Sequence, residues 1–178
     1  MEVFMIDIKI INAEHKQDIN IPNEPFLFFG RMVPTYVNEQ WNYSVEKFSR
    51  EQQMCFPDEN YSYEDMIKNS TFIGAYDNEK CIGLAIMREG FLKYMYLYDL
   101  KVNIAYRKCG VAKALIEKAK SIAKEKGYAG IYTKGQDNNL GACLFYIKTG
   151  FYIGGFDSNV YKWTKQEGKS DIIFYLDF

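Results

Sequence analysis

The stretch NIAYRKCGVAKALIEKAK, residues 103 to 120, carries the chain from a strand ending DLKV at Val102 straight into a basic amphipathic helix, with Gly110 at the seam. The first N–H groups of a helix have no intrahelical partner and carry the positive end of the macrodipole, so a phosphate can bind there through backbone alone. A glycine lets that backbone come close, Arg107 and Lys108 add full positive charge, and Ala112 keeps bulk off the first turn. A helix start with two solvated cations is the competing reading of the same residues. The motif is neither GxxxxGK(S/T) nor GxGxxG, and neither pattern occurs anywhere in the chain, so a nucleotide P-loop and a dinucleotide fingerprint are excluded.

The flanking sequence fixes the architecture around that seam. Residues 110 to 126 repeat apolar side chains at Val111, Leu115, Ala119 and Ile122 and stop at Gly127, the spacing and end signal of an amphipathic helix. Ahead of it, STFIGAY and KCIGLAIMRE are predicted as two strands joined at Asp77 and Asn78, and LKYMYLYDLKV as a third. Behind it come a strand in AGIYTKG, a helix over 139–149 ending before Gly150, and strands in FYIGGF and DIIFYLDF. Residues 2 to 11 read as a strand, and SYEDMIKN as a short helix with Ser62 as N-cap. The segment 21–48 holds three of the four prolines and many aromatics, and is expected to be extended, irregular and packed, a candidate specificity region. The order β-β-β-α-β-α-β-β is mixed α/β, and no repeat of 20 to 50 residues suggests an array.

Composition narrows the partners. At 178 residues with 48% hydrophobic and 25% charged side chains, the chain fits one ordinary domain. The balance of 22 basic against 23 acidic groups leaves no electrostatic footprint for nucleic acid, so the 15 Tyr and 13 Phe are assigned to core and acceptor-pocket packing. Cys55, Cys81, Cys109 and Cys143 form no CxxC pair and His15 is the sole imidazole, which leaves too few ligands for zinc and no base for a cysteine nucleophile. They read as reduced thiols of a cytoplasmic protein. The N-terminus shows no export signal, and no apolar run approaches membrane-spanning length, so no membrane partner is expected.

Arg107-x-x-Gly110-x-Ala112 directly after DLKV resembles the Q/R-x-x-G-x-G/A pyrophosphate loop of the GNAT family of N-acetyltransferases, which bind acetyl-CoA. The likeness continues in DNNLGACLFYIKTGF, with Asn139, Ala142, Tyr146, Gly150 and Phe151 at the family's positions. NEPFLFFGRMVPTYVNEQW and FYLDF also resemble the streptothricin acetyltransferase branch, which acetylates an amine on the β-lysine part of an aminoglycoside-like antibiotic. The resemblance implies a GNAT-type acyl-CoA N-acyltransferase fold of the α/β (α+β) class, with a mixed, mostly antiparallel central sheet flanked by helices. Residues 1–178 would form one domain, with 1–70 as acceptor-specificity region and 71–178 as acetyl-CoA-binding core. It implies acetyl-CoA as co-substrate, no metal, and contacts from Leu100, Val102, Arg107, Lys108, Cys109, Gly110, Val111, Ala112, Asn139, Ala142 and Tyr146. Family members are often dimers, so a homodimer is a further expectation.

The implied reaction is direct transfer of acetyl to an amine, with Leu100 as the position whose N–H steadies the carbonyl oxygen. Tyr146 is the implied proton donor to the departing thiolate. On a helical wheel Asn139, Ala142 and Tyr146 share one side and Leu140, Leu144 and Ile147 another, which sets Tyr146 off the aliphatic face; a core aromatic is the alternative. Many relatives carry Glu where this chain has Tyr98, which leaves Asp99 as the nearest carboxylate for a base. Period-2 alternation predicts Asp99 on the side of Met95 and Leu97, where desolvation would raise its pKa; capping backbone at a strand end is the other role that fits it. Glu24, Glu39 and Asp58 could draw a cationic acceptor. Candidate acceptors are streptothricin, a protein lysine or N-terminus, and a polyamine; a non-catalytic acyl-CoA-binding module is the reading from another class.

Overall fold

The computed structural model describes residues 5–90 and 92–178. In chain order the elements are β1 (Ile6–Ile10), a 3-10 segment (Ala13–Asn20), β2 (Phe26–Val37), β3 (Gln40–Met54), α1 (Tyr63–Met66), β4 (Ser70–Asp77), β5 (Lys80–Arg88), β6 (Tyr94–Val102), a 3-10 turn (Ile104–Tyr106), α2 (Val111–Glu125), β7 (Gly130–Gln136), α3 (Leu140–Lys148), β8 (Tyr152–Asp157) and β9 (Asp171–Asp177). Two compact units are present. The first holds the described residues to Glu24, Cys55–Ile131 and Phe178; the second holds Pro25–Met54 and Tyr132–Asp177.

In the first unit β1, β4, β5 and β6 are hydrogen-bonded in that order, each pair antiparallel. The apolar runs of β4 and β5 lack alternation because both faces are covered. α2 covers one face, burying Val111, Leu115, Ile116, Ala119, Ile122 and Ala123. A Cβ added to Gly83 would lie 3.2 Å from Val111 and 3.3 Å from Leu115, which marks Gly83 as facing α2. The other face is a cluster of Ile11, Ile19, Phe72, Leu84 and Ile86, flanked by Ile21, Tyr61, Tyr63 and Met66. Ile19 arrives on the 3-10 segment, which periodicity does not reveal because that piece is short and polar. β1 is seen from Ile6; residues 2–4 of the predicted strand lie outside the described residues. Ser62 caps α1 as expected, its Oγ accepting from the Asp65 N–H at 3.4 Å. The turn between β4 and β5 falls on Asn78 and Glu79, one residue later than predicted, with Asn78 at φ 55°.

β6 departs from plain alternation. Asp99 lies opposite Ile86 while Leu97 lies opposite Met87, so Tyr98 is an extra residue, a bulge. Beyond it the strand changes phase. Leu100 opposes Ala85 and Val102 opposes Gly83, on the α2 side, whereas Asp99 and Lys101 oppose Ile86 and Leu84, on the side of the Phe72 cluster. Asp99 therefore does not share the side of Met95 and Leu97; the bulge turns it over.

In the second unit β7, β9 and β8 are neighbours in that order, and β2 and β3 form an antiparallel hairpin. The segment expected to be irregular is thus regular. Its turn sits on Asn38 and Glu39 at φ 50° and 62°, the paired left-handed geometry of a tight hairpin, and Tyr36 and Trp41 pack across it with ring centres 4.9 Å apart. β2 packs on α3 closely enough that a Cβ on Gly30 would lie 2.6 Å from the Glu46 carbonyl oxygen and 2.8 Å from Leu140. Asp137, only 2% exposed, knits this unit. Its Oδ2 accepts from Arg31 at 2.5 and 3.1 Å and its Oδ1 from the Ser170 N–H at 3.1 Å. Its backbone joins Met32 and Ser170 at 2.9 Å each.

Removing one partner of a buried ion pair leaves the other uncompensated. Asp137→Ala is expected to cost about 3 kcal/mol, read from urea denaturation. A loss below ~1 kcal/mol would show that Asp137 does not hold the hairpin to its unit.

Candidate active site

The seam between β6 and α2 is built from backbone. Asn103 donates its N–H to the Ile82 carbonyl at 2.8 Å, and its side chain accepts from the Ala105 N–H at 3.3 Å, capping the 3-10 turn. Lys108 at φ 64° and Gly110 at φ 86° are both left-handed, a conformation costing about 1–2 kcal/mol for a residue with a Cβ. Gly110 is the N-cap of α2 and supplies no capping side chain, and nothing lies within 4 Å of where its Cβ would be. The first intrahelical bond runs from Ala114 to the Gly110 carbonyl at 3.0 Å. The amides before it thus have neither an intrahelical acceptor nor a side-chain cap, and open space adjoins them.

The sequence placed six candidate residues in this loop, Arg107 to Ala112, and they divide. Lys108, Cys109 and Gly110 are exposed, Ala112 is half-buried, and Val111 is buried toward Gly83, so any contact from Val111 is through its N–H. Arg107 is half-buried, with Nε donating to the Val102 carbonyl at 3.1 Å and its guanidinium to the Glu24 carbonyl at 3.4 Å. It braces the loop. The Glu24 carboxylate accepts from the Ile104 N–H, and Asp58 accepts from the Asn23 N–H at 2.6 Å, so both acids hold backbone. Glu39 sits in the β2–β3 turn.

Asp99 stands in a network that the sequence alone did not reveal. Its Oδ2 accepts from the Tyr61 hydroxyl at 3.2 Å and pairs with Lys101 Nζ at 3.3 Å, and Lys101 pairs with Glu59 at 2.6 Å. Burial pushes the Asp99 carboxyl up, the Lys101 charge pulls it down, and Glu59 pushes it up again; the net direction is upward. Burial also pushes Glu59 up, but hydrogen bonds from Lys101 and Asn23 hold it below the usual carboxylate range. Tyr61 is driven upward by burial and by the Asp99 and Glu59 charges, so it stays a donor. The signal for Lys101 was its place two residues beyond Asp99 on one strand, which is one side chain along the same face.

In the second unit Asn139 caps α3, its Oδ1 accepting from the Ala142 N–H at 3.3 Å. Tyr146 is 8% exposed, with its ring among Phe145, Phe151 and Phe174 at 5.7, 5.3 and 5.3 Å between centres. Tyr146 lies on the buried side of α3, not off it as the helical wheel predicts. The buried side of α3 is Leu140, Cys143 and Tyr146, while Leu144 and Ile147 are half-buried. Tyr146 is thus packed in the core side of its helix, and its neighbours lock its ring. Burial raises the Cys143 thiol to about 12, which keeps it protonated and unreactive. Among the described residues no group of three His, Cys, Asp or Glu side chains could hold a metal ion, and no helix is long and apolar enough to cross a membrane.

Residues 38–151 match the acetyltransferase (GNAT) family. Streptothricin acetyltransferase A of Bacillus subtilis (strain 168) is 36% identical over 164 residues, 91% of this chain and 94% of that protein. Streptothricin acetyltransferase of Escherichia coli is 30% identical over 117 residues, 66% of this chain and 67% of its own. Among solved structures, a Bacillus anthracis str. Ames protein assigned as a streptothricin acetyltransferase, in complex with acetyl coenzyme A, superposes with a TM-score of 0.87 at 30% identity, covering 97% of this chain and 99% of its own. The sheet with its flanking helices is therefore the GNAT fold, of mixed and mostly antiparallel strands. The chain belongs to the GNAT acetyltransferase family and is an acetyl-CoA-dependent N-acetyltransferase.

Proposed function

We propose that the acceptor is streptothricin or a close analogue, acetylated on a primary amine in the cytoplasm, with antibiotic resistance as the outcome. The observation that carries this reading is the span of the likeness. The match to the Bacillus subtilis enzyme covers 94% of that protein and so runs well beyond the segment the family shares. The same reading takes residues 1–178 as one acetyltransferase domain, with 1–70 shaping the acceptor site, and allows a homodimer.

Acetyl-CoA supplies an activated thioester whose acyl carbon a free amine attacks, the C–N bond forming as the C–S bond breaks. In this reading the uncapped amides from Gly110 to Ala112 bind its diphosphate, with Lys108 adding charge and Arg107 holding the loop in shape. The open space at Gly110 fits a group that must approach backbone closely. Leu100 and Val102, which lie on the α2 side of β6, would contact the donor through backbone, and the Leu100 N–H would steady the carbonyl oxygen. Cys109 contributes backbone to the loop. On α3, Asn139 and Ala142 form the capped first turn, and Tyr146 gives its phenolic proton to the departing thiolate.

Asp99 takes the proton the acceptor must lose. A lysine-like ammonium has a reference pKa of about 10.4, and a carboxylate whose pKa burial raises is a better base toward it than a solvated one. Roles for both residues rest on the family's chemistry and on these environments together.

Measured as CoA release over a panel of amines, turnover is expected to be highest with streptothricin. Turnover with peptides or polyamines alone would replace the acceptor, and acetyl-CoA binding with no transfer to any amine would remove the catalytic reading. Tyr146→Phe is expected to lower kcat by about 10²-fold or more while the Kd for acetyl-CoA, from calorimetry, changes little. An unchanged kcat would take Tyr146 out of the mechanism.

A further inference from the structure

Among the described residues, every polar contact of Asp99 falls on one of its two oxygens. Tyr61 Oη donates to Oδ2 at 3.2 Å and Lys101 Nζ lies 3.3 Å from the same atom. Both donors are themselves held. Lys101, with an 11% exposed side chain, directs its ammonium to Asp99, to Glu59 Oε2 at 2.6 Å and to the Ile21 carbonyl at 3.5 Å, which uses its three N–H bonds. Glu59 Oε2 also accepts from Asn23 Nδ2 at 2.9 Å. Tyr61 is pinned through its backbone by Asn20, whose amide exchanges hydrogen bonds with the Tyr61 N–H at 2.7 Å and the Tyr61 carbonyl at 2.9 Å.

We propose that Lys101 and Tyr61 are positioning residues that occupy Oδ2 of Asp99, so that Oδ1 is the atom that takes the acceptor's proton, and that Glu59 tunes its basicity. This rests on the reading of Asp99 as the base. Two carboxylates against one ammonium leave one excess negative charge, which suits a single cationic amine. Burial and Glu59 favour the neutral form of Asp99, in which it could not accept a proton; the Lys101 charge opposes them and favours the ionised form. Other groups near this face are Tyr63, whose ring centre lies 5.3 Å from that of Phe72, Tyr98, whose ring centre lies 6.0 Å from that of Tyr61, and Arg88 of β5, which sits 4.6 Å over the Tyr98 ring and so is engaged there. The residue opposite Asp99 on β5 is the apolar Ile86, which adds no charge.

The test is the pH dependence of kcat/KM in the intact enzyme with streptothricin as acceptor, for Asp99→Asn, Lys101→Met, Lys101→Arg and Glu59→Gln. Activity needs ionised Asp99, so a higher Asp99 pKa moves the acidic limb up. Lys101→Met removes the cation and is expected to raise that limb by about 1 unit or more, with Lys101→Arg bringing it back toward wild type. Glu59→Gln removes a negative neighbour and is expected to lower it. Opposite signs from two members of one network would not arise from loss of structure, and Glu59→Gln carries the test alone should Lys101→Met fail to fold. If Asp99→Asn keeps the wild-type limb, the base reading fails and this proposal with it. If Asp99→Asn abolishes the limb while Lys101→Met and Glu59→Gln leave it in place, Asp99 remains the base and the positioning roles are overturned.

Discussion

A helix whose N-cap is a left-handed glycine begins with amides that no side chain covers, and α2 is built that way at Gly110. Uncompensated, those donors would cost stability, roughly a few tenths of a kilocalorie per mole relative to a Ser or Asp cap. The chain spends further strain beside them in placing Lys108 at φ 64°. Arg107, whose charge could have faced solvent, is instead turned back on the Val102 and Glu24 carbonyls. Structure is thus invested in keeping the loop's shape, and the loop's shape presents backbone. An acetyl-CoA-dependent family has use for that arrangement, because a diphosphate is recognised well by preformed amides and poorly by mobile side chains.

The bulge at Tyr98 does for side chains what Gly110 does for backbone. One unpaired residue changes the phase of β6, so the stretch after it sends Leu100 and Val102 to the α2 side and Asp99 and Lys101 to the other. Without the bulge Asp99 would follow Leu97 into the core, where a carboxylate would be too costly to ionise. With it, Asp99 keeps a cation and a phenol as partners while remaining largely desolvated. Opposing effects meet at that carboxylate, burial and Glu59 pushing its pKa up and Lys101 pulling it down, with the net direction upward.

Local signals were read well where one pattern dominates. α2 was legible because Val111, Leu115, Ala119 and Ile122 recur at helical spacing between two glycines, and its boundaries fell within a residue of the structure. The β2–β3 hairpin was missed because little of it is buried: β3 is exposed along most of its length, so no polar and apolar alternation is selected, and Pro34 argued against a strand. Asn38 between Tyr36 and Trp41 was the available turn signal. The side of Asp99 was misassigned because a bulge depends on pairing with β5, which a single strand's periodicity does not carry. Tyr146 was placed off the core by the wheel, yet a nine-residue helix at the junction with Phe151 and Phe174 buries more than one stripe. The partners of Asp99 come from Glu59 and Tyr61, some forty residues away in sequence, and only tertiary structure joins them.

The most direct measurement is a crystal structure of the enzyme with coenzyme A bound. The proposed cradle at Gly110 predicts diphosphate oxygens within about 3.2 Å of the backbone nitrogens at the start of α2, from Gly110 onward, with Lys108 nearby. A diphosphate held on another segment, with that first turn left to solvent, would contradict it.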